Sequence, residues 1–189
     1  MRCLGSPILL ALASLATTQA HAQDVARANR AMELNATAGS ACIVGTPRAL
    51  SATNSTFQAD GGSGGQITLT RLVDPDTALP RSARVDLAIP ATCNASHRVI
   101  ASSGAGGLRR AGGGGVQTGG FADFLAYSVQ VAWAGAQREQ RSDSGSLIIP
   151  VSDAASGDVS LRVTTPDGGT PLIAGQYDDT IVIQLQPAE

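Results

Sequence analysis

The feature of this sequence that most constrains its fold is the recurrence of apolar residues at every second position. Between residues 85 and 93 the odd-numbered positions carry apolar side chains, and they are Val85, Leu87, Ile89, Ala91 and Cys93. Polar residues, among them Arg84, Asp86 and Thr92, lie at even-numbered positions. A period of two is typical of a β-strand with one buried face. Because a slip of one residue would expose the whole apolar set, we expect this strand to have a fixed register.

The same alternation predicts long strands over residues 124–133 and 180–186 and shorter ones elsewhere. The shorter candidates are residues 32–38, 41–44, 67–72, 98–102, 147–151 and 159–163. Turn signals rich in Gly, Pro, Asp and Ser separate them, at residues 60–65, 74–80, 104–120, 134–145 and 166–169. No helical period with caps continues after residue 22, although a short helix fits residues 23–33. Many short strands with frequent turns predict an all-β fold, a sandwich of two sheets.

The N-terminus has the pattern of a cleavable signal peptide over residues 1–22. Arg2 supplies a positive charge, residues 8–16 form an apolar run, and Ala20-His21-Ala22 offers small residues for cleavage before Gln23. A membrane anchor is the alternative, but spanning a bilayer takes about 20 apolar residues and this run is much shorter. We therefore predict an exported protein with no membrane span after cleavage.

Cys42 and Cys93 remain in the chain after Cys3 leaves with the signal peptide. An even pair in an oxidising compartment predicts a disulfide, with two free thiols as the alternative. A structural zinc site usually needs four Cys or His ligands, and His97 is the single histidine left after cleavage. We expect no metal and no cofactor.

Composition and motifs point away from catalysis and from nucleic acid. The formal net charge is −2, so the composition does not indicate the basic surface that is typical of nucleic-acid binding. The glycine-rich stretch over residues 104–120 lacks the Gly-Lys-Ser/Thr of a phosphate loop, and we interpret it as a mobile hairpin loop. Arg109 and Arg110 within it could meet an anionic partner, but solvated loop charges are the simpler interpretation. With no nucleophile motif beside His97, we predict that the protein is not an enzyme.

Four segments, in order, resemble the spore coat protein U domain. The last, GQYDDTIVIQLQ at residues 175–186, is similar to that family's closing strand, with Gly175, Tyr177, Asp179, Thr180 and Ile181 in the family's pattern. The others are ACIVGTPRAL at 41–50, VDLAIPATCN at 85–94 and FLAYSVQVAW at 124–133. The resemblance covers about residues 32–186, and it assigns residues 34–189 to one domain.

This resemblance implies a structural or minor subunit of an archaic chaperone–usher pilus, with a role in adhesion or biofilm. Such subunits resemble an immunoglobulin sandwich that lacks its seventh strand. A periplasmic chaperone fills the gap first, and the N-terminal strand of another pilus subunit fills it later, at an outer-membrane usher. The expected path is periplasm and then cell surface. The edge of the gap would be the strand carrying Ile181, Ile183 and Leu185, and an unpaired edge needs a partner to avoid aggregation.

The resemblance also implies a donor strand near the N-terminus, in the extension over residues 23–33 and just beyond it. Its even positions include Ala26, Ala28, Met32 and Leu34, interrupted by Arg30. Two of these side chains are alanines, which bury little apolar surface. We therefore expect a weak donor strand, which suits a minor or terminal subunit. Met32 and Leu34 could instead belong to the domain's own first strand. The alternative to a pilus subunit is a standalone exported β-sandwich that binds a ligand or a surface glycan.

Overall fold

The computed structural model describes residues 32–114 and 117–188, and nearly all of its regular structure is β. In chain order the strands are β1 (Cys42–Val44), β2 (Arg48–Thr53), β3 (Ser55–Ala59), β4 (Gly65–Leu69), β5 (Arg84–Cys93), β6 (His97–Ser103), β7 (Leu108–Arg110), β8 (Gln117–Thr118), β9 (Phe121–Ala122), β10 (Phe124–Leu125), β11 (Ser128–Trp133), β12 (Ala136–Arg141), β13 (Leu147–Val151), β14 (Ala155–Thr164), β15 (Tyr177–Asp178) and β16 (Ile181–Pro187). A single 3₁₀ turn, Ser142–Ser144, lies among the described residues. The predicted all-β sandwich is confirmed.

The larger sheet is antiparallel, with the strand order β1-β5-β14-β11-β12. β5 is long enough to take two partners along one edge, β1 beside its C-terminal half and β2 beside its N-terminal half. The second sheet has the order β13-β6-β16 and is also antiparallel. Smaller pieces are the three-stranded sheet β10-β7-β15 and the hairpins β3–β4 and β8–β9.

The core lies between the two larger sheets, since its buried side chains come from both. They are Val85, Leu87, Ile89, Ala91, Val99, Ala101, Tyr127, Val129, Val131, Trp133, Leu147, Ile149, Val159 and Leu161. All five residues that the alternation in β5 placed on one face are buried, as are the five predicted for residues 125–133. A period of two therefore identified the inward faces correctly.

The outer face of the larger sheet carries a buried carboxylate. Asp86, on β5, accepts hydrogen bonds from Ser51 Oγ at 2.6 Å, from Arg84 Nε at 2.8 Å and from Arg162 Nε. Burial alone would raise the pKa of Asp86, but the hydrogen bonds from Arg84, Ser51 and Arg162 outweigh it and hold the pKa well below its usual range. This network joins the strands β2, β5 and β14 across the face that the core does not use.

Several boundaries differ from the predictions. The strand predicted for residues 32–38 is wrong, because residues 32–41 contain no strand. The long strand predicted for 124–133 is split into β10 and β11, and the predicted turn at 134–145 contains β12. The glycine-rich stretch at 104–120 contains β7, paired with β10 and β15, so it is not one continuous loop.

The chain divides into one unit ending at Thr37 and another beginning at Ala38. Of the first unit the structure describes residues 32–37, which form neither helix nor strand. The signal peptide predicted for residues 1–22 lies outside the described residues. No helix among the described residues is long and apolar enough to cross a membrane.

Candidate functional site

The last strand, β16, has one edge with no partner among the described residues. In that part of the chain it pairs antiparallel with β6 alone, over seven residue pairs from Ile181 to Pro187. Hydrogen bonds flank this ladder, from Gly104 N to Thr180 O and from Ala188 N to Ser96 O, both at 2.8 Å. Antiparallel ladders alternate, so even-numbered residues bond to β6 and odd-numbered residues point the other way.

The backbone N–H and C=O groups of Ile181, Ile183 and Leu185 therefore face the free edge of β16. None of these groups has a hydrogen-bond partner within the part of the chain that the structure describes. Their side chains face inward, yet all three are only half-buried, whereas inward residues of β5 are almost fully covered. The core is incompletely closed along this edge.

An apolar groove of about 710 Å³ runs beside this edge. We call it the groove. Ile181 and Ile183 line it from β16, residues of the hairpin β3–β4 also line it, and inward side chains of β5 and β14 form its floor. Its apolar lining is Val44, Pro47, Phe57, Ile67, Leu69, Leu72, Leu87, Ile89, Leu108, Leu161, Val163, Ile181 and Ile183, with the Tyr127 ring among them. The groove is thus a gap between the two sheets, and side chains of the core form its floor.

Its charged lining is acidic. Among the described residues the charged side chains that line the groove are Asp178 and Asp179, at the junction of β15 and β16. Asp178 is exposed and takes part in none of the ion pairs between described residues. A strand carrying a cationic side chain at that end would meet a complementary charge.

Asp179 fixes the start of β16 in place. Its carboxylate accepts hydrogen bonds from Ala105 N at 2.8 Å, Thr180 N at 2.7 Å, Tyr127 Oη at 2.8 Å and the hydroxyl of Ser103. These donors come from β6 and the turn after it, from the segment before β11 and from the residue next to Asp179. Burial raises the pKa of the Tyr127 phenol well above its ordinary value, and the carboxylate of Asp179 acts in the same direction. The phenol is therefore a permanent donor.

The other residues of the motif at 175–181 have related structural roles. Tyr177 Oη is within hydrogen-bond distance of Ile173 O at 2.8 Å and Ala122 O at 3.1 Å, which ties β15 to β9. Gly175 has a φ of 155°, and a Cβ there would lie 2.9 Å from the Arg110 side chain. The sequence pattern that suggested a closing strand thus consists of residues that position β16.

The predicted disulfide between Cys42 and Cys93 is present. The two residues are direct cross-strand partners in the pairing of β1 with β5. β1 is only three residues long, and it also lies beside β16. Val44, at the other end of β1, lines the groove, so the disulfide ties to β5 the strand that carries this lining residue.

His97 belongs to the core. It is 2 % exposed, and its Nδ1 lies 2.8 Å from Ala95 O. Trp133 Nε1 donates to His97 Nε2 at 2.7 Å. An indole N–H can only donate, so Nε2 accepts from Trp133 and the Nδ1–H donates to Ala95 O. Among the described residues no three His, Cys, Asp or Glu side chains are grouped as metal ligands.

The residues predicted for a donor strand divide into two groups. Ala26 and Ala28 lie outside the described residues. Met32 and Leu34 are 94 % and 97 % exposed and belong to no strand, so the alternative in which they form the domain's first strand is wrong. Arg109 and Arg110, which the sequence placed in a loop, lie in β7, and the Arg109 guanidinium stacks over the Phe124 ring at 5.4 Å.

Comparison with known proteins gives no match: no protein-family model, curated protein or solved structure is similar to this chain.

Proposed function

We propose that the groove accepts an extended strand from another protein chain, and that the protein is a subunit of a surface pilus assembled by such strand addition. The occupant would pair with the free edge of β16 and place apolar side chains, at alternate positions, against the floor of the groove. A periplasmic chaperone would supply that strand first and a neighbouring subunit later, at an outer-membrane usher. The domain would then be an immunoglobulin-like sandwich completed by its partner.

The single observation that carries the proposal is that the same residues of β16 have unpaired backbone groups and inward side chains that remain partly exposed. Ile181, Ile183 and Leu185 direct their N–H and C=O groups to the free edge of β16, where Ile181 and Ile183 line the groove, and the inward side chains of all three are half-buried. Each fully buried side chain of this size is worth about 1.5–3 kcal/mol relative to exposure. A strand in the groove would satisfy the backbone and cover the apolar surface in one step, which is how strand addition gains its affinity.

The exposed edge also supports a need for a chaperone. A free edge with apolar side chains is a template for pairing with other chains. The full chain would therefore aggregate or be degraded when it is produced alone in a periplasm. Co-expression with a periplasmic chaperone of the archaic chaperone–usher class would yield a soluble one-to-one complex.

Two adjacent residues offer a matched test of this proposal. Ile183 faces the groove, whereas its neighbour Val182 faces outward and is 40 % exposed. We expect Ile183→Asp to abolish co-purification of the chaperone and Val182→Asp to leave it unchanged. Circular dichroism checks that both variants fold, and Ile183→Ala gives a milder groove variant. A soluble monomer without any chaperone would refute the proposal and favour the standalone ligand-binding domain.

A further inference from the structure

The sequence contains three triplets of the form Asn-X-Ser/Thr in which X is not proline. They are Asn35-Ala36-Thr37, Asn54-Ser55-Thr56 and Asn94-Ala95-Ser96. This triplet is the acceptor pattern for N-linked glycosylation of exported proteins. An enzyme that modifies it needs an accessible side-chain amide and a backbone that can adapt to the acceptor site. The structure therefore distinguishes among the three triplets.

The second triplet is held in the fold by Asn54 itself. Its Nδ2 donates to Arg71 O at 2.7 Å and to Ser82 O at 3.1 Å, and its Oδ1 accepts from Arg71 N at 2.9 Å. The backbone of Asn54 has a φ of 52°, in the left-handed region. Thr56, the third residue of the triplet, lies in β3 and pairs with Thr68 of β4. An enzyme would have to break these bonds before the amide of Asn54 could react.

The third triplet is fastened at the turn between β5 and β6. Asn94 Nδ2 donates to Gly39 O at 2.9 Å, and its Oδ1 accepts from Ala41 N at 2.7 Å. The backbone N–H of Asn94 also donates to Ala41 O, at 3.1 Å, and Ser96 O accepts from Ala188 N at 2.8 Å. The amide of Asn94 thus holds the segment before β1 against this turn, and it is not available to an enzyme.

The first triplet is different in each of these respects. Asn35, Ala36 and Thr37 are all exposed and lie in neither helix nor strand. The side chains of Asn35 and Thr37 form no hydrogen bond with any other described residue, and no backbone hydrogen bond within the described residues holds the triplet. A segment without such bonds changes its conformation at a free-energy cost near zero. Asn35 is therefore the asparagine that an enzyme can reach without unfolding the domain.

Asn35 also has an acidic neighbour that the other two asparagines lack. Glu33 lies two residues before it, whereas Ala52 and Thr92 occupy the corresponding positions in the other two segments. The side chain of Glu33 is exposed and takes part in none of the ion pairs between described residues. A free carboxylate close to the acceptor offers a second point of recognition to an enzyme with a cationic acceptor site.

We propose that Asn35 is an N-glycosylation site recognised together with Glu33, and that Asn54 and Asn94 stay unmodified in the folded protein. The donor is an oligosaccharide carried on a lipid diphosphate. Asn35 Nδ2 forms a bond to C1 of the first sugar while the bond from C1 to the diphosphate oxygen breaks. The lipid diphosphate leaves, and one amide proton passes to a base of the enzyme. The proposal needs the predicted export of the chain and does not depend on the groove.

The test co-expresses the full chain in a bacterial periplasm with a bacterial oligosaccharyltransferase and its lipid-linked oligosaccharide. After reduction and alkylation, trypsin cleaves after arginine and places the three asparagines on separate peptides, residues 31–48, 49–71 and 85–98. Mass spectrometry of the total periplasmic material reads all three peptides, so the result does not depend on solubility or on a chaperone. We expect the mass of one oligosaccharide to be added to the peptide 31–48 alone.

Variants at exposed positions make the test specific. Thr37→Ala should abolish the modification and Thr37→Ser should retain it, and circular dichroism checks that both variants fold. Glu33→Gln should lower the modified fraction by about two- to fivefold, as the loss of one exposed ion pair with the enzyme would. An unchanged fraction in Glu33→Gln would overturn the role of Glu33.

Two further results would overturn the proposal. Modification of the peptides 49–71 or 85–98 to a similar extent would show that the fold does not select Asn35. An unmodified peptide 31–48, in cells where a control acceptor protein is glycosylated, would show that Asn35 is not an acceptor. Neither result bears on the proposed strand addition.

Discussion

Replacing Asp179 by Ala should destabilise the domain more than any other single change at the start of β16. The substitution removes the carboxylate that accepts hydrogen bonds from four donors. One of these donors, the Tyr127 hydroxyl, belongs to a side chain that is only 4 % exposed. A buried donor left unsatisfied costs about 1–3 kcal/mol. Water can reach part of the site because Asp179 is only half-buried, so we expect a loss of about 3–5 kcal/mol, less than the sum of four such penalties.

Urea unfolding followed by the fluorescence of Trp133 measures this loss, since Trp133 is the one tryptophan in the sequence. Tyr127→Phe removes a single donor and should cost about 1–2 kcal/mol. In the double variant the two losses should fall short of additivity by about 1 kcal/mol, because the same hydrogen bond is removed twice. The control is Asp178→Ala at the neighbouring exposed carboxylate, with an expected effect of about 0.5 kcal/mol or less. A loss below about 1 kcal/mol for Asp179→Ala would refute the anchoring role.

Three further predictions concern the rest of the fold. The double variant Cys42→Ser/Cys93→Ser should lose about 2–4 kcal/mol in urea unfolding, and an unchanged midpoint would show that the disulfide does not stabilise the fold. Because the folded pKa of Asp86 is depressed, its contribution is present above the unfolded pKa of about 4 and is lost as the pH falls below it. The stability difference between the wild type and Asp86→Asn should therefore shrink in acid, and a constant difference from pH 3 to 7 contradicts this. Trp133→Phe leaves the buried His97 Nε2 without its donor and should cost about 1–3 kcal/mol, measured by thermal unfolding with circular dichroism.

The sequence predicted the central strands well because their burial is strictly alternating. In β5 the inward set from Val85 to Cys93 is buried throughout, and the two cysteines lie at facing positions of paired strands. The exposed edge of β16 was predicted from a resemblance, and the structure places Ile181 and Ile183 beside a groove. Period-two patterns carry such information because one face of each strand contacts the core.

The remainder depends on tertiary contacts that leave little trace in a sequence. β12, with the sequence AQREQR, has almost no apolar residue, so the hydrogen bonds of β11 specify it and its own pattern does not. Asp179 and Tyr177 were noted as motif residues, but their bonds reach residues far away in the chain. The place of the hairpin β3–β4 in the lining of the groove is likewise encoded by no local pattern.

The central claim is that the groove binds a strand. The measurement that tests it most directly is the urea midpoint of the full chain carrying a C-terminal extension of a flexible Gly/Ser linker and eight residues that alternate Val and Thr. The Ser/Thr control extension has Ser in place of each Val. Each buried Val contributes about 1.5 kcal/mol or more, partly offset by the entropy of ordering the extension. The account predicts a clearly higher midpoint for the Val/Thr extension, and the Ile183→Asp substitution should remove most of this gain. Equal midpoints for the two extensions would contradict the account.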